Sequence, residues 1–150
     1  MKRFLTLAAV TALAGPALAD DDLMKVQSGS DVASTMDALE AAVEGAGATV
    51  FARVDHAGGA EGVGMQLAPS EVLIFGNPKL GTPAMQADPL AGLFLPMKVL
   101  VYEDADGQVW LAYEDPEEMF DELDRIDDDA EYIQQMTGAL GKLTKKAAGG

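Results

Sequence analysis

The chain contains one histidine, His56, and histidine is the only side chain whose unperturbed pKa places its charge change near neutral pH. His56 follows the alternating stretch 49–55 and shares the phase of Val50, Ala52 and Val54, which predicts a side chain directed toward the interior at the end of a strand. Rigid scaffolds often carry functional side chains at such positions. His56 is therefore a candidate site residue, and the alternative is a structural histidine hydrogen-bonded to a neighbouring loop.

Three more polar side chains stand at the ends of strand-like runs. Asn77 and Lys79 follow one run, and Lys98 begins another. If these ends converge, His56, Asn77, Lys79 and Lys98 line one polar pocket with hydrogen-bond donors and positive charge. In a chain with a formal net charge of -15, such a pocket would favour a small anion. The alternative is a plain turn at Asn77, a residue suited to turns, with both lysines solvated.

Other chemistry finds little support. The chain has no cysteine, so thiol catalysis and disulfides are excluded. General acid-base work by His56 with Asp55 or Glu61 stays open as an alternative function, and no catalytic residue is assigned. The sequence from Asp104 to Gly107 resembles part of a calcium loop but lacks the remaining ligands. With one histidine and no cysteine, zinc lacks its usual ligand set. We therefore predict neither a metal nor a cofactor.

The glycine-rich stretch at residues 58–64 could in principle cradle a phosphate, because glycines let backbone amides approach an anion. It has neither the Gly-Lys-Ser/Thr ending of a P-loop nor the spaced glycines of a dinucleotide fingerprint. We predict a mobile connector here.

The first residues have the pattern of a secretory signal peptide. Lys2 and Arg3 precede an apolar run at residues 4–14, and Ala17-Leu18-Ala19 supplies a small-residue cleavage site. The run is shorter than the ~20 residues that a membrane anchor needs. The prediction is a signal peptide at residues 1–19, a single domain at residues 20–150, a periplasmic location and no membrane insertion once the leader is removed.

The acidity of the chain limits its partners. Removal of the leader takes away two basic residues and leaves every acid, so the mature protein is more negative than -15. Nucleic acids and anionic lipid surfaces bind through clusters of lysine and arginine. Both classes of partner are therefore disfavoured.

Periodicity predicts alternating strands and helices in the order β-α-β-β-α-β-β-α-α. The first helix has apolar residues at helical spacing after the expected cap Ser30. An Asp-Gly turn at 106–107 joins two strands as a hairpin. The predicted elements are strands at 23–26, 49–55, 71–75, 98–102 and 108–113, and helices from 30, at 82–95, after 115 and around 133–143. This order predicts an α+β fold of two layers, with the helices on one face of a mostly antiparallel sheet.

Four segments together resemble the DUF302 family over nearly the whole chain after about residue 28. They are Phe51-Ala52-Arg53-Val54-Asp55-His56, Val72-Leu73-Ile74-Phe75-Gly76-Asn77-Pro78-Lys79, Leu93-Phe94-Leu95-Pro96-Met97-Lys98-Val99-Leu100-Val101-Tyr102-Glu103-Asp104 and Gly107-Gln108-Val109-Trp110-Leu111-Ala112-Tyr113. The resemblance implies the two-layer fold of that family, and the family pattern includes a histidine that matches His56. No biochemical role comes with the family. Small-ligand binding is the function we predict first.

The resemblance also makes a homodimer plausible, which gives a third function, that of a structural interaction protein. The apolar runs 72–75 and 99–102 could pair edge to edge with a second copy. In the hairpin, Val109, Leu111 and Tyr113 share one phase and Trp110 has the other. We expect the larger set to face the helices and Trp110 to lie on the opposite side, available to a partner.

Overall fold

A computed structural model describes residues 23–150, so the predicted signal peptide at residues 1–19 lies outside the described part of the chain. Within that part, five antiparallel strands form one sheet in the order β1-β5-β4-β3-β2. The elements, in chain order, are β1 (Leu23–Ser28), α1 (Val32–Gly45), β2 (Thr49–Asp55), α2 (His56–Gly62), β3 (Ser70–Gly76), α3 (Pro78–Ala87), a 3-10 helix (Pro89–Leu93), β4 (Met97–Glu103), β5 (Val109–Glu114), α4 (Pro116–Met119) and α5 (Glu131–Ala147). The α+β prediction is confirmed.

The core lies between the sheet and the long helices α1 and α5. On β3, β4 and β5, alternate residues such as Leu73, Val99 and Leu111 are fully buried, as the two-residue period of a strand requires. The helices meet them with apolar stripes that include Met36 and Leu140. Truncating a side chain of this size to alanine in such a core typically costs about 2–5 kcal/mol. Contacts of this strength hold the strands and the two helices in fixed relative positions.

The N-cap of helix α1 lies one residue later than predicted. Asp31, not Ser30, is the N-cap, and its Oδ1 accepts a hydrogen bond from the Ser34 amide at 2.8 Å. Ser30 instead donates its own amide to Ser28 Oγ at 3.2 Å. Aspartate and serine are comparable caps, so the choice depends on this local contact.

Two segments differ from the sequence prediction. The glycine-rich stretch is not a connector but contributes most of α2, where Asp55 caps the first turn by accepting from the Gly58 amide at 2.8 Å. The helix predicted at 82–95 is two shorter elements, because Asn77 caps α3 earlier and Asp88 starts a separate 3-10 helix. The side-chain oxygen of each of these residues accepts a hydrogen bond from a backbone amide in the first turn of its helix, where that amide has no partner within the helix. Composition alone does not reveal which aspartate or asparagine acts as a cap.

A β-bulge in β2 changes the phase of the strand. Val50 lies opposite Phe75 but Ala52 lies opposite Ile74, so Phe51 is an extra residue between two paired positions. Val50 therefore faces the helices, whereas Ala52 and Val54 face away from them. The predicted common face for these three residues is wrong, because a bulge inserts one residue into an otherwise regular alternation.

The bulge also places Arg53 on the helix side, opposite Leu73. There its guanidinium binds Glu71, Asp37 at 2.6 Å and Glu40 at 3.5 Å. The hydrogen bond to Glu71, followed by that to Asp37, raises the pKa of Arg53 above its ordinary value. This cluster ties α1 to β2 and β3.

The strand order corrects one prediction and confirms another. β3 and β4 are interior strands that pair with each other, so the apolar runs 72–75 and 99–102 have no free edge for a second copy. In β5, Val109, Leu111 and Tyr113 are buried on the side of α1 and α5, while Trp110 lies on the opposite face. We refer to that second surface as the open face of the sheet.

Candidate functional site

A cavity of about 330 Å³ lies where α3 and α5 cover the ends of β2, β3 and β4. We refer to it as the apolar cavity. Its lining residues are Ala46, Ala48, Phe51, Phe75, Gly76, Asn77, Pro78, Leu80, Gly81, Thr82, Met85, Leu95, Pro96, Met97, Met136, Ala139, Leu140 and Leu143. Ligand sites are typically concave, mostly apolar and about 300–1,000 Å³ in volume, so the apolar cavity has the size and character of a small-molecule site.

Small residues on opposing walls leave this space open. Gly76 ends β3, and a Cβ built on it would lie 3.2 Å from Cε2 of Phe51. A Cβ on Gly81 of α3 would lie 3.4 Å from Leu95. On α5, Ala139 presents only a methyl group between the larger Met136 and Leu140 positions. The cavity therefore depends on residues that contribute little volume.

The cavity has a closed end and a mouth. Phe75 and Leu140, which are 4% and 2% exposed, form the closed end. Phe51 and Met85, which are 58% and 40% exposed, line the same cavity and therefore stand at its opening.

Polar side chains in the lining are few. Asn77 and Thr82 carry the polar side chains of the lining, and no lining residue is ionisable. Asn77 Oδ1 accepts the Lys79 amide at 3.0 Å, and its carbonyl oxygen accepts the amides of Leu80 and Gly81 at 2.9 and 3.0 Å. The first amides of α3 are thus satisfied inside the helix and are not directed at the cavity.

His56 lies far from this cavity. It is the first residue of α2, is exposed, and follows Asp55, which pairs with Glu71 near the start of β3. Asn77 follows the other end of β3, roughly 20 Å from Glu71 along the strand at ~3.4 Å per residue. The predicted inward direction of His56 is wrong, because the bulge reverses the phase and α2 begins at once.

Lys98 and Lys79 occupy the same end of the sheet as Asn77 but on different surfaces. Lys98 lies opposite Ile74 on the open face, and Lys79 is exposed in the first turn of α3. The structure therefore brings Asn77 and Lys79 together and leaves His56 and Lys98 apart, so the four residues do not form one pocket. Their roles in ligand binding stay predictions.

A second cluster surrounds the hairpin between β4 and β5. Asp104 accepts hydrogen bonds from the amides of Gln108 and Asp106 at 2.9 Å each and from Trp110 Nε1 at 2.8 Å. The Gln108 amide, followed by the Trp110 indole, lowers the pKa of Asp104 below its ordinary value. This carboxylate closes the turn. Residues 23–150 bring no three histidine or acidic side chains close enough to hold a metal ion.

Sequence reasoning reached Asn77 but missed the rest of the cavity. Leu140 and Leu143 also belong to the buried stripe of α5, so helical spacing explains them without a cavity. The available signal was Gly76 and Gly81 beside flexible methionines, because small residues facing Met side chains mark adaptable apolar space. Helical spacing alone does not distinguish a filled core from a cavity wall.

The comparisons with known proteins place the chain in a family. Residues 24–143 match the family described as "Domain of unknown function DUF302". The chain is 39% identical over 130 residues to "Fluoride-specific ion channel FluC 1" of Brucella suis, covering 87% of this chain and 51% of that protein. The protein of the same name in Brucella abortus is also 39% identical over 130 residues, with 48% of it covered. The chain thus spans about half the length of these curated relatives.

No helix among the described residues has both the length and the apolar character needed to cross a membrane. A solved structure, "uncharacterized conserved protein DUF302 from Bacillus stearothermophilus", superposes with a TM-score of 0.75 at 18% identity, covering 85% of this chain and 98% of that one. At this identity the likeness concerns the fold, which agrees with the family match along the sequence. The chain belongs to the DUF302 family.

Proposed function

We propose that this protein is a small-molecule binding module and that the ligand occupies the apolar cavity. The observation that carries the proposal is the cavity itself, about 330 Å³ with a closed end at Phe75 and Leu140 and a mouth at Phe51 and Met85. An unfilled space of this size costs stability, because wall atoms lose their packing partners. A bound molecule would restore those contacts.

The proposal differs from the anion site at His56, Asn77, Lys79 and Lys98 that the sequence predicts. A small anion needs donors or cations, and the first α3 amides already donate to Asn77. The names of the Brucella relatives refer to fluoride, and fluoride has the same requirement. Among its lining side chains only Asn77 Nδ2 and the Thr82 hydroxyl can donate a hydrogen bond, and none is a cation, so we assign the apolar cavity to a different kind of ligand.

The test is binding of N-phenyl-1-naphthylamine, a neutral dye that emits more strongly in apolar surroundings. We expect saturable one-to-one binding to the wild type and at least tenfold weaker binding to Ala139→Phe, which fills the cavity from α5. Gly138→Ala is the matched control, since a Cβ at that position meets nothing within 4 Å. Equal binding by wild type and Ala139→Phe would refute the cavity as the site.

Anions belong in the same experiment as a separate arm. Fluoride, chloride and phosphate should leave the wild-type melting temperature unchanged at equal ionic strength. A rise with one of them that disappears in Lys79→Ala or Lys98→Ala would favour the polar site instead of the apolar cavity.

A homodimer is a second candidate, and the open face of the sheet favours it. Val72, Ile74, Leu100 and Trp110 are half-buried on this face, which is opposite the one that packs against α1 and α5. Five strands of six or seven residues, about 4.8 Å apart, give a flat footprint of roughly 500 Å². This is less than the ~800 Å² per partner of a standard interface, so we propose a weak dimer.

Sedimentation velocity over a wide concentration range tests this second candidate. We expect reversible dimers that Ile74→Glu abolishes, because the charge would be buried at the centre of the interface. Ala33→Glu, on the exposed side of α1, is the control. A wild type that stays monomeric at all concentrations would exclude the dimer without affecting the cavity proposal.

A further inference from the structure

The chemistry of the cavity wall restricts the class of ligand. Every charged residue among 23–150 lies outside the lining, and the Asn77 side-chain oxygen is engaged by the Lys79 amide. Burying a polar group without a hydrogen-bond partner is unfavourable, and burying an unpaired charge is far more so. Apart from Asn77 Nδ2 and the exposed Thr82 hydroxyl, the lining side chains offer no hydrogen bond, so the part of the ligand against the apolar walls carries neither an unpaired polar group nor a charge.

The volume sets the size of that part. An engineered cavity of about 150 Å³ lined by aliphatic and aromatic side chains binds benzene. The apolar cavity, at about 330 Å³, is roughly twice as large. It fits an apolar body of about ten carbon atoms, such as two fused rings or a medium-length alkyl chain.

The mouth fixes the direction of entry. The exposed lining residues Phe51 and Met85 mark the opening, and Phe75 and Leu140 close the far end. A molecule with one polar end can bury its apolar body only with that end at the mouth. The chain as a whole has a formal net charge of -15, and no lining residue is cationic. The long-range field therefore disfavours an anionic end group.

We infer that the ligand is an uncharged, mostly hydrocarbon molecule of about ten carbon atoms, held with its apolar body against Phe75 and Leu140 and any polar group at the mouth. This inference rests on the proposed function, since it names the ligand class of the same cavity. It separates this site from one for sugars, nucleotides or inorganic anions, all of which need directed hydrogen bonds.

Displacement of the dye by straight-chain alcohols tests both size and direction. From 1-hexanol to 1-decanol, we expect affinity to rise roughly fourfold for each added methylene, the ratio that full burial of a CH₂ group gives. Beyond about ten carbons the added methylenes remain in water at the mouth, so affinity should level off. A flat series from six to ten carbons would overturn the inference even if the dye binds in the cavity.

The end group is tested with 1-decanol against decanoate at pH 8. We expect the alcohol to bind at least fivefold more tightly, with the difference shrinking as salt screens the field. Tighter binding of decanoate would overturn the uncharged class, and its loss in Lys79→Ala would identify a cationic anchor.

Two cavity-filling variants are used, because a single variant that failed to fold would not test the inference. Gly81→Leu fills the cavity from α3 and Ala139→Phe fills it from α5, and circular dichroism identifies whichever variant keeps the wild-type fold. A folded variant should lose the chain-length dependence, whereas Gly138→Ala should keep it. If a folded filling variant keeps the full series, the alcohols bind elsewhere and the inference fails. If the wild type binds no dye, the proposed function fails as well.

Discussion

At the scale of single residues, His56 illustrates how a chemically suggestive side chain can be separated from the cavity. It is exposed at the first position of α2, at the opposite end of β3 from Asn77. The phase argument failed because Phe51 is an unpaired extra residue upstream. The position of His56 depends on the pairing of β2 with β3, which the sequence does not display.

His56→Ala should change the free energy of unfolding by about 0.5 kcal/mol or less, as for most exposed positions. Urea denaturation measures this, with Leu39→Ala as a buried control expected to cost about 2–5 kcal/mol. Dye affinity should also stay unchanged, because His56 is remote from the cavity. A loss above about 2 kcal/mol would mean that His56 is a structural hydrogen-bonding residue.

Asp104 offers a pH-dependent test at the same scale. Its pKa is lower in the folded protein than its ordinary value, so its stabilising contribution is present above the ordinary value and disappears as the pH falls through the folded-state pKa. Trp110 is the single tryptophan and donates to this carboxylate. Its emission should therefore titrate with a midpoint below the ~3.9 of an unperturbed aspartate. Asp104→Asn should remove that transition, and a midpoint at or above 3.9 would contradict the assignment.

At the scale of elements, most boundaries were predictable where apolar periodicity is strong. The strand 49–55 and the stripe of α1 from Val32 to Val43 agree with the sequence prediction. The misplaced elements are those whose limits depend on one cap, such as α3 with its cap Asn77. The cavity was not predictable, because its walls come from residues far apart in sequence that also satisfy the pattern of an ordinary core.

The cap of α3 links helix stability to the cavity. Asn77→Ala removes the oxygen that accepts the Lys79 amide and should cost about 1 kcal/mol. Because α3 forms one wall, dye affinity should fall several-fold as well. Asn77→Ser should retain both properties, since serine caps comparably.

Asp31→Ala provides the matched control for this effect. It removes the cap of α1 at a similar cost, but Asp31 does not line the cavity, so dye affinity should not change. Equal losses of affinity in Asp31→Ala and Asn77→Ala would attribute the effect to general destabilisation. Thermal unfolding and dye titration on the same samples separate these outcomes.

At the scale of the whole molecule, repulsion between like charges acts across the fold. The chain carries 25 acidic and 10 basic residues. A domain of this length has a radius of gyration of about 14 Å, which is smaller than the ~30 Å Debye length at 0.01 M salt and larger than the ~8 Å at 0.15 M. Repulsion therefore spans the molecule at low salt and becomes local at physiological salt.

Raising sodium chloride from 0.01 to 0.15 M should increase the melting temperature by about 2–4 °C, which corresponds to roughly 0.5–1 kcal/mol in a domain of this size. Potassium chloride should give the same increase, because screening does not depend on which of these cations is present. A decrease would mean that the ion pairs of Arg53 with Asp37, Glu40 and Glu71 outweigh the repulsion.

The bulge in β2 has a consequence for how the chain tolerates changes in length. Phe51 stands between paired positions, so a protein lacking it keeps Val50 opposite Phe75 and Ala52 opposite Ile74. A deletion inside β3 would instead shift two ladders at once, since β3 pairs with both β2 and β4. Deletion of Phe51 should therefore leave a folded sheet while removing one side of the cavity mouth. Homologous chains of unequal length could share this architecture and differ in what they admit.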